Sequence, residues 1–473
     1  MTPLLPRALY PPLLLRLAIR LKQATKTVNR STRFLNRLSL PKHRCVNFMA
    51  TAAMALLAAG VNAVDLSVTG QVRLRYENLD QQFRASGQGS DQALLARTLV
   101  LAELTQNRWT LAGELIDARG LLSVADEDTT LGTSSINPLD IQQTYLRYQM
   151  PSANCSACYS RLTAGRYTLD IGSRRFVARN RYRNTLNNFT GLHWQHQSTA
   201  DQQWQVFYSQ PVTRRFDGDA TDNSPKLDKE NHSTQFYGLY FADALTENTK
   251  TELYWLGLGE QRNGNDSARN IQTLVNWWQT QQKSWRGQIE WAYQWGEVRE
   301  GTNNLDKKAA FLHTEIEWQE FIAGIPLTLF FDYASGDKNR SDNEDNSFDT
   351  LFGARRFDFG PTSIYGPFAR TNLISPGASI ELNNPFGQWQ FTWRYFRLAS
   401  NDEPWSSAGI DPQTTSGAAS NVAQQLELRW RTNSQDDHWQ WEAGLNYLKA
   451  EQLMQAADKN NATYVYGQIA YQF

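Results

Sequence analysis

The sequence predicts an all-β protein, a transmembrane antiparallel β-barrel of about eighteen strands with long extracellular loops and short periplasmic turns. Three observations support this prediction: a two-residue hydrophobic period, an apolar strand face rich in aromatic residues, and connections that alternate between long and short. The chain has 473 residues, of which 16 are Trp, 19 Tyr and 22 Phe, and this aromatic content argues against disorder. Its apolar runs are shorter than the roughly 18 residues that a membrane-spanning helix requires.

The two-residue period is clearest in the first predicted strand, at 66–77. Its even positions are apolar, aromatic or Gly, whereas its odd positions include Arg73, Arg75 and Glu77. Alternation places these two sets of side chains on opposite faces of a strand. Later strands carry Trp, Tyr and Phe on the apolar face, especially near strand ends, as the aromatic girdle of a membrane barrel does.

Connection lengths distinguish a membrane barrel from a soluble β-sandwich. After odd-numbered strands the predicted linkers are mostly long and polar, such as 78–93, 171–187 and 336–369. After even-numbered strands they are mostly short, such as 107–108 and 281–284. Long extracellular loops and tight periplasmic turns produce this alternation, and closure of the barrel pairs the backbone polar groups within lipid.

The chain is predicted to comprise a signal peptide with an extended basic leader at 1–63 and an outer-membrane barrel domain at 64–473. The leader holds ten Lys and Arg residues and no acid, followed by an apolar run and small residues. This order favours a secretory signal, and a mitochondrial transit peptide is the alternative. Removing ten of the 47 basic residues leaves 37 against 47 acids, a net charge of about −10, which argues against nucleic-acid binding.

Two further features fit the outer membrane of a Gram-negative bacterium. Cys155 and Cys158 are spaced as Cys-Ser-Ala-Cys in a turn-rich segment, where we expect a small disulfide because the periplasm is oxidising. A redox motif would instead precede a helix in a βαβ unit. The chain ends on Phe473 after aromatic or apolar residues at alternate positions, which resembles the C-terminal signal read by the outer-membrane assembly machinery.

The inward faces of a wide barrel line water, so their charges indicate function. The densest basic segment, 161–183, holds seven Arg and one Asp. Such a cluster in a pore would attract anions, and guanidinium groups suit carboxylates. The alternative is a loop whose arginines bind lipopolysaccharide phosphates or pair with acids of the barrel wall. The predicted anion pathway comprises Arg73, Arg75, Glu77, Glu114, Asp117, Arg119, Tyr145, Arg147, Arg166, Arg174, Arg175, Arg179, Arg183 and Arg394.

One part of this pathway needs a local irregularity. Glu114 and Asp117 differ in parity along the same predicted strand. A β-bulge must therefore intervene if both carboxylates point inward. These acids, with Arg119, could also serve only to brace the arginines.

Several short, distinct motifs occur one after another along the mature chain. They include Arg73-Leu-Arg75-Tyr-Glu77, Gly113-Glu114-Leu-Ile-Asp117-Ala-Arg119, Gly165-Arg166, Gly172-Ser-Arg174-Arg175 and Asp332-Tyr-Ala-Ser-Gly336-Asp337. Together they resemble the alginate-export family of outer-membrane porins. The resemblance implies a monomeric, eighteen-stranded channel with an arginine-rich constriction that passes an anionic polysaccharide. It carries a pathway role to Arg73, Arg75, Glu114, Asp117, Arg119, Arg166, Arg174 and Arg175.

The predicted function is a porin for anionic solutes, including passage of an acidic, alginate-like polysaccharide. A general small-solute porin is the alternative, and a barrel enzyme and an adhesin plugged by an inward loop at 171–187 or 336–369 are others. The histidines after the signal lie in no recognisable nucleophile motif. His313, Glu315 and Glu317 share one strand face, which we interpret as solvated lining. No cofactor or metal is predicted; the expected partners are anions, membrane lipid and lipopolysaccharide.

Overall fold

The structure is a computed structural model that describes residues 64–125, 131–151, 155, 158–215, 221–261, 267–301, 303–322, 324–417 and 419–473. The predicted signal segment, 1–63, lies outside the described residues. None of the helices in the described ranges has both the length and the apolar character needed to cross a membrane.

The described residues form twenty strands and two short helices. In chain order they are β1 (Asp65–Asp80), β2 (Asp91–Gln106), β3 (Trp109–Ala125), β4 (Asn137–Met150), β5 (Tyr159–Tyr167), β6 (Phe189–Gln197), β7 (Gln203–Thr213), β8 (Lys229–Glu230), β9 (Thr234–Thr246), β10 (Thr249–Gln261), β11 (Ser267–Gln281), β12 (Trp285–Glu300), β13 (Asn303–Ile322), β14 (Ile325–Ala334), β15 (Glu344–Asp345), α1 (Arg356–Phe359), β16 (Leu373–Asn384), β17 (Gly387–Arg397), β18 (Asn421–Asn433), β19 (Trp439–Ala450), α2 (Gln452–Ala456) and β20 (Ala462–Gln472).

Eighteen of these strands pair antiparallel in one closed ring. Each pairs with the next long strand along the chain, and β20 returns to pair with β1. The two-residue strands β8 and β15 are additions to β7 and β13. Closure leaves no unpaired sheet edge, and the predicted eighteen-stranded antiparallel barrel is confirmed.

The barrel wall has an apolar outer face and a charged inner face, as the alternation in the sequence predicts. In β1, Val72 and Leu74 are 47% and 42% exposed, whereas Arg75 and Glu77 are fully buried. The apolar side chains therefore form the lipid-facing surface, and the charged ones point into the barrel. Trp residues near the strand ends, such as Trp109 and Trp439, are also exposed, as an aromatic girdle requires.

The chain connections match the prediction at most positions. Long connections follow β1, β3, β5, β7, β14 and β17, and short turns follow β2, β9 and β11. β12 and β13 extend further than the sequence period indicated, so 298–307 is mostly strand rather than a loop. The end of the barrel with the short turns is the periplasmic end by the usual orientation of such barrels.

Two long connections fold into the barrel. We call them the β5–β6 loop (168–188) and the β14–β16 loop (335–372). In the β5–β6 loop, Ser173 hydrogen-bonds Glu290 of β12 while Arg179 reaches Glu114 of β3 on another part of the wall. In the β14–β16 loop, Asp349 contacts β12 and Arg356 contacts β20. The lumen is therefore crossed by two segments of the chain.

The seam between β1 and β20 depends on Gly70. The backbone of Gly70 exchanges hydrogen bonds of 2.8 and 3.1 Å with that of Phe473. A Cβ atom at Gly70 would lie 2.4 Å from Cζ of Phe473 and 2.5 Å from the carbonyl oxygen of Leu99. The second contact is with backbone, which a rotamer change cannot relieve.

We predict that Gly70→Ala lowers the temperature at which the folded barrel unfolds in detergent, because the added methyl group separates the closing strands. The shift of the folded band on a heat-modifiability gel measures it. Gly467→Ala, on the adjacent strand where a Cβ meets no atom within 4 Å, is the matched control. Equal unfolding temperatures for the two variants would contradict the steric argument.

Candidate functional site

Arginines of the barrel wall hold the β5–β6 loop by its backbone. Arg73 and Arg97 lie directly opposite each other on β1 and β2. Arg73 donates to the carbonyls of 181–183 at 2.9–3.2 Å, and Arg97 donates to two of the same carbonyls at 3.0 and 2.8 Å. Arg75 donates to the Tyr182 carbonyl at 2.8 Å. The guanidinium groups thus supply the donors that this irregular buried backbone needs.

Arg175 connects the β5–β6 loop to the far wall and to the β14–β16 loop. Its guanidinium lies 2.7 Å from the Glu290 carboxylate of β12 and 3.0 Å from Asp358 of α1. Burial alone would lower the pKa of Arg175, but the carboxylates of Asp358 and Glu290 outweigh it and raise that pKa. The side chain is 5% exposed, so the ion pairs are shielded from solvent. We call Arg175, Glu290 and Asp358 the latch.

Further ion pairs surround the latch. Asp358 also pairs with Arg370, and Arg394 lies 2.7 Å from Asp332. His313, Asp332 and Asp358 bring possible metal-ligand atoms within 4.8 Å of one another. However, Arg175 lies 2.9 Å from Nε2 of His313 and also bonds Asp358. Guanidinium groups already supply the positive charge there, so the arrangement fits ion pairing better than metal binding.

Backbone hydrogen bonds join the two inward loops. The amide of Ala178 donates to the Phe352 carbonyl at 3.1 Å, and the amide of Ala354 donates to the Arg174 carbonyl at 3.0 Å. Between them, a Cβ at Gly353 would lie 1.7 Å from the Arg175 carbonyl oxygen. This close approach requires Gly, and it fixes one loop against the other.

A cavity of about 930 Å³ lies between the joined loops and the short-turn end of the barrel. We call it the periplasmic vestibule. Five acidic residues line it: Glu114, Asp170, Asp436, Asp437 and Glu442. Eight arginines line it: Arg73, Arg97, Arg174, Arg179, Arg181, Arg356, Arg429 and Arg431. Its wall therefore carries an excess of positive charge.

The arginines of the vestibule divide into paired and unpaired groups. Arg179 lies 2.5 Å from Glu114, and Arg429 lies 2.8 Å from Glu442. Across the described ranges, Arg73, Arg97 and Arg174 have no carboxylate within ion-pair distance. Arg73 and Arg97 are buried and bonded to carbonyls, whereas the Arg174 side chain is exposed to the cavity. Arg174 is thus an unpaired cation that solutes can reach.

Comparison with known proteins identifies the family of this barrel. The sequence model of the alginate-export family matches residues 64–468. The chain belongs to the alginate-export family. A search of curated proteins finds no matching sequence.

Solved structures support the same fold for this alginate-export family member. The outer membrane protein OprD from Pseudomonas aeruginosa is 11% identical, with a TM-score of 0.55 over 86% of this chain and 94% of that chain. OccAB1 from Acinetobacter baumannii is also 11% identical, with a TM-score of 0.56 over 86% and 96% of the two chains. At this identity the similarity establishes the barrel fold, and with the family it identifies an outer-membrane channel.

The structure places most predicted pathway residues of this family member inside the barrel but gives them different partners. Arg75 lies 3.0 Å from Glu77, and both are fully buried. Tyr145 donates to Glu103 at 2.9 Å, and Arg147 donates to the Tyr145 hydroxyl. The arginines of the β5–β6 loop mostly pair with wall acids or loop amides, which was the alternative interpretation of this basic segment; examples are Arg175, Arg179 and Arg183.

Two predicted pathway residues are corrected by the strand register. Asp117 and Arg119 pair in register with Thr98 and Ala96, which alternate with the inward Arg97. They therefore lie on the outer face and pair with each other at 2.8 Å. The bulge that would turn both carboxylates inward is not present on β3 between them, because β3 pairs with β2 in unbroken register from Trp109 to Gly120; the register shifts beside Glu114 put the extra residues on β4.

Arg166 is a third correction. Its guanidinium donates to the Ile141 carbonyl at 2.9 Å and lies 2.6 Å from Glu230, in the connection between β7 and β9. It lies in register with Thr144, one position from the inward Tyr145. The residue therefore holds an extracellular connection and does not line the vestibule.

Sequence reasoning missed the partners that decide these roles. Arg97 lies on a strand whose other inward positions are mostly Ala and Leu, so its charge gave no periodic signal. Glu290 and Asp358 are distant in sequence from Arg175. Strict alternation in β12 placed Glu290 on the inward face, which was the one available indication of its involvement.

The cysteines form a disulfide in the connection between β4 and β5. Cys155 and Cys158 have Cα atoms 5.2 Å apart and are bonded. This short connection lies at the periplasmic end of the barrel. The bond closes a small turn, and neither cysteine lines the vestibule.

An acidic pair holds the extracellular connection between β7 and β9 (214–233). The backbone amide of Asp228 donates to the Asp140 carboxylate at 2.6 Å, and Asn137 donates to the Asp228 carboxylate at 2.9 Å. Burial and the neighbouring Asp140 raise the pKa of Asp228 to about 7. Because that pKa is higher in the folded state than the ordinary value, folding favours the protonated side chain.

We predict that this connection loosens as pH rises from 5 to 8. The stabilising effect of the raised pKa is fully present below the ordinary pKa of about 3.9 and is lost as pH rises through about 7. Hydrogen exchange of 221–233, corrected for intrinsic rates, measures it. Asp228→Asn should remove the pH dependence, and Asp222→Asn is the control in the same connection. Protection that does not change with pH in the unmodified protein would contradict this assignment.

We predict that Arg175→Met releases the β5–β6 loop. The substitution leaves Glu290 buried without its arginine, whereas Asp358 keeps Arg370; removing one partner of a buried ion pair costs about 3–5 kcal/mol. Single-channel recording should show larger and noisier currents. Arg119→Met, which removes an ion pair on the outer face, should change the current little. Identical current records for the Arg175 variant and the unmodified protein would show that the latch does not position the loop.

Proposed function

We propose that this protein is an outer-membrane channel for anionic solutes, in which arginines attract and orient carboxylates without catalysing a reaction. The observation that carries the proposal is the charge of the periplasmic vestibule, where eight arginines face five acids. A cavity whose lining carries an excess of one sign of charge, with low-dielectric walls, concentrates ions of the opposite sign. Family membership supports the channel function, and the vestibule supports the choice of anions.

The proposal assigns different tasks to the arginines. Arg75, Arg175 and Arg394 are almost completely buried and paired, so they maintain the shape of the lumen. Arg174 and Arg431 line the vestibule with weak pairing or none, since the nearest carboxylate to Arg431 is 3.9 Å away. These two side chains contact the solute, because a guanidinium without a carboxylate partner is free to bind one from the solute.

A second candidate is passage of an acidic polysaccharide. It is favoured by the family match, since the matching family is described by alginate export. A polymer would enter from the vestibule and must pass the two inward loops. Its transport therefore requires displacement of the latch, whereas small anions require a narrower opening.

The proposal also places the chain in its surroundings. The exposed apolar outer face contacts membrane lipid, and the exposed Phe473 ring at the end of β20 is available to the assembly machinery. Lipopolysaccharide would surround the extracellular end. The channel is proposed to function as a monomer, as its resemblance to the alginate-export family implies; its barrel wall is complete within one chain.

We predict that the purified channel conducts anions in preference to cations. In a planar bilayer with a salt gradient, the sign of the reversal potential measures this preference. Arg174→Gln combined with Arg431→Gln should reduce that preference, because it removes accessible cations from the vestibule. Arg340→Gln combined with Lys308→Gln, which removes two exposed cations paired with Asp411 and Glu344 outside the vestibule, is the charge-matched control and should leave the preference unchanged.

Cation preference in the unmodified channel would contradict the proposal. Oligouronates added at the periplasmic side separate the two candidates. If the oligomers pass only in the Arg175→Met variant, the latch excludes the polymer and small anions are the solutes. If they cross the unmodified channel, polysaccharide passage is supported.

A further inference from the structure

The helix α1 exposes one aromatic ring inside the barrel. Of its four residues, Arg356, Asp358 and Phe359 are buried, but the side chain of Phe357 is 42% exposed. Phe357 lines the periplasmic vestibule. A phenylalanine needed only for packing would be buried as Phe359 is, because apolar surface in a wet cavity has an unfavourable free energy.

Guanidinium groups surround this ring. The guanidinium carbons of Arg174, Arg175 and Arg370 lie 5.5–5.6 Å from the Phe357 ring centroid. Arg175 and Arg370 are already paired with Asp358. Arg174 lies close to the exposed ring and, within the part of the chain that the structure describes, has no carboxylate partner.

The backbone holds Arg174 in an unusual conformation beside this ring. Its φ angle is +69°, in the left-handed region that side chains other than Gly and Asn seldom adopt. Two hydrogen bonds of 3.0 Å maintain the conformation. The amide of Arg174 donates to the Ile171 carbonyl, and the amide of Ala354 donates to the Arg174 carbonyl. Backbone strain of this kind persists where surrounding contacts fix it, often at binding sites.

We propose that Phe357 and Arg174 together form a binding site for solutes in which a carboxylate is attached to a ring. The ring of the solute would stack on the exposed face of Phe357, and its carboxylate would bind Arg174. Flat apolar faces and aromatic rings attract each other, and a guanidinium binds a carboxylate with charge-assisted hydrogen bonds. This inference rests on the proposed anion pathway and adds the shape of the solute to its charge.

Two kinds of solute share this chemistry: pyranose acids and aromatic acids. Block of chloride current by solutes added at the periplasmic side of the full-length channel distinguishes them. Glucuronate, a ring acid, is compared with gluconate, an acyclic acid of the same charge and similar size, and with glucose, a ring without charge. Benzoate, compared with hexanoate, tests the aromatic acids.

We expect glucuronate, benzoate or both to block at a concentration about fivefold lower than the acyclic acid of the same pair, the size of a single stacking contact. Whichever ring acid shows the larger advantage identifies the source of the ligand. Phe357→Leu should abolish the advantage, and Phe357→Trp should retain it. Phe386→Leu, at an exposed turn residue outside the vestibule, should behave as the unmodified channel.

The outcomes separate this inference from the proposed function. An anion-selective channel in which neither ring acid blocks better than its acyclic partner would overturn the ring site and leave the anion channel standing. The same holds if Phe357→Leu keeps the full advantage. Because the comparison of acids uses the unmodified protein, it decides the question even if the Leu variant fails to fold. Cation selectivity would contradict both proposals.

Discussion

The buried ion pairs of Arg175 are the interaction on which the rest of the structure depends. Two stretches of irregular backbone cross the barrel, and each requires partners for polar groups that strands would otherwise pair. Arg175 joins the β5–β6 loop to Glu290 on the wall and to Asp358 on the second loop. Without such a connection, the loops would lose their fixed position and the vestibule its shape.

This constraint explains why the arginines inside the barrel differ in their effect on solutes. A guanidinium with carboxylate partners adds no net charge to the lumen, so Arg175 and Arg394 stabilise structure. A guanidinium bonded only to carbonyls keeps its charge, as Arg73 does. Arg174 keeps its charge and is also accessible. The electrostatic character of the vestibule therefore depends on unpaired arginines rather than on the number of arginines.

The sequence was sufficient to predict the barrel because its signal is local. Alternation in β1 and β12 and the lengths of the connections depend only on neighbouring residues, and the closed ring of eighteen strands confirms them. The inward loops were predicted only as alternatives. Their direction depends on pairs such as Arg175 with Asp358, which are separated by 183 residues and leave no periodic signal. Asp117 was misplaced because the family resemblance was followed against the strand parity, which puts Asp117 on the face opposite Glu114, as the regular register with β2 shows.

Hydrogen exchange of the two inward loops in the folded channel tests the central claim most directly. If the loops are fixed across the lumen, the amides of Ala178, Phe352 and Ala354 should exchange as slowly as those of the barrel strands, because each donates to the backbone of the other loop. Exchange as fast as that of the exposed extracellular residues near 413 would mean that the loops are not held together, and the account of the vestibule would be wrong.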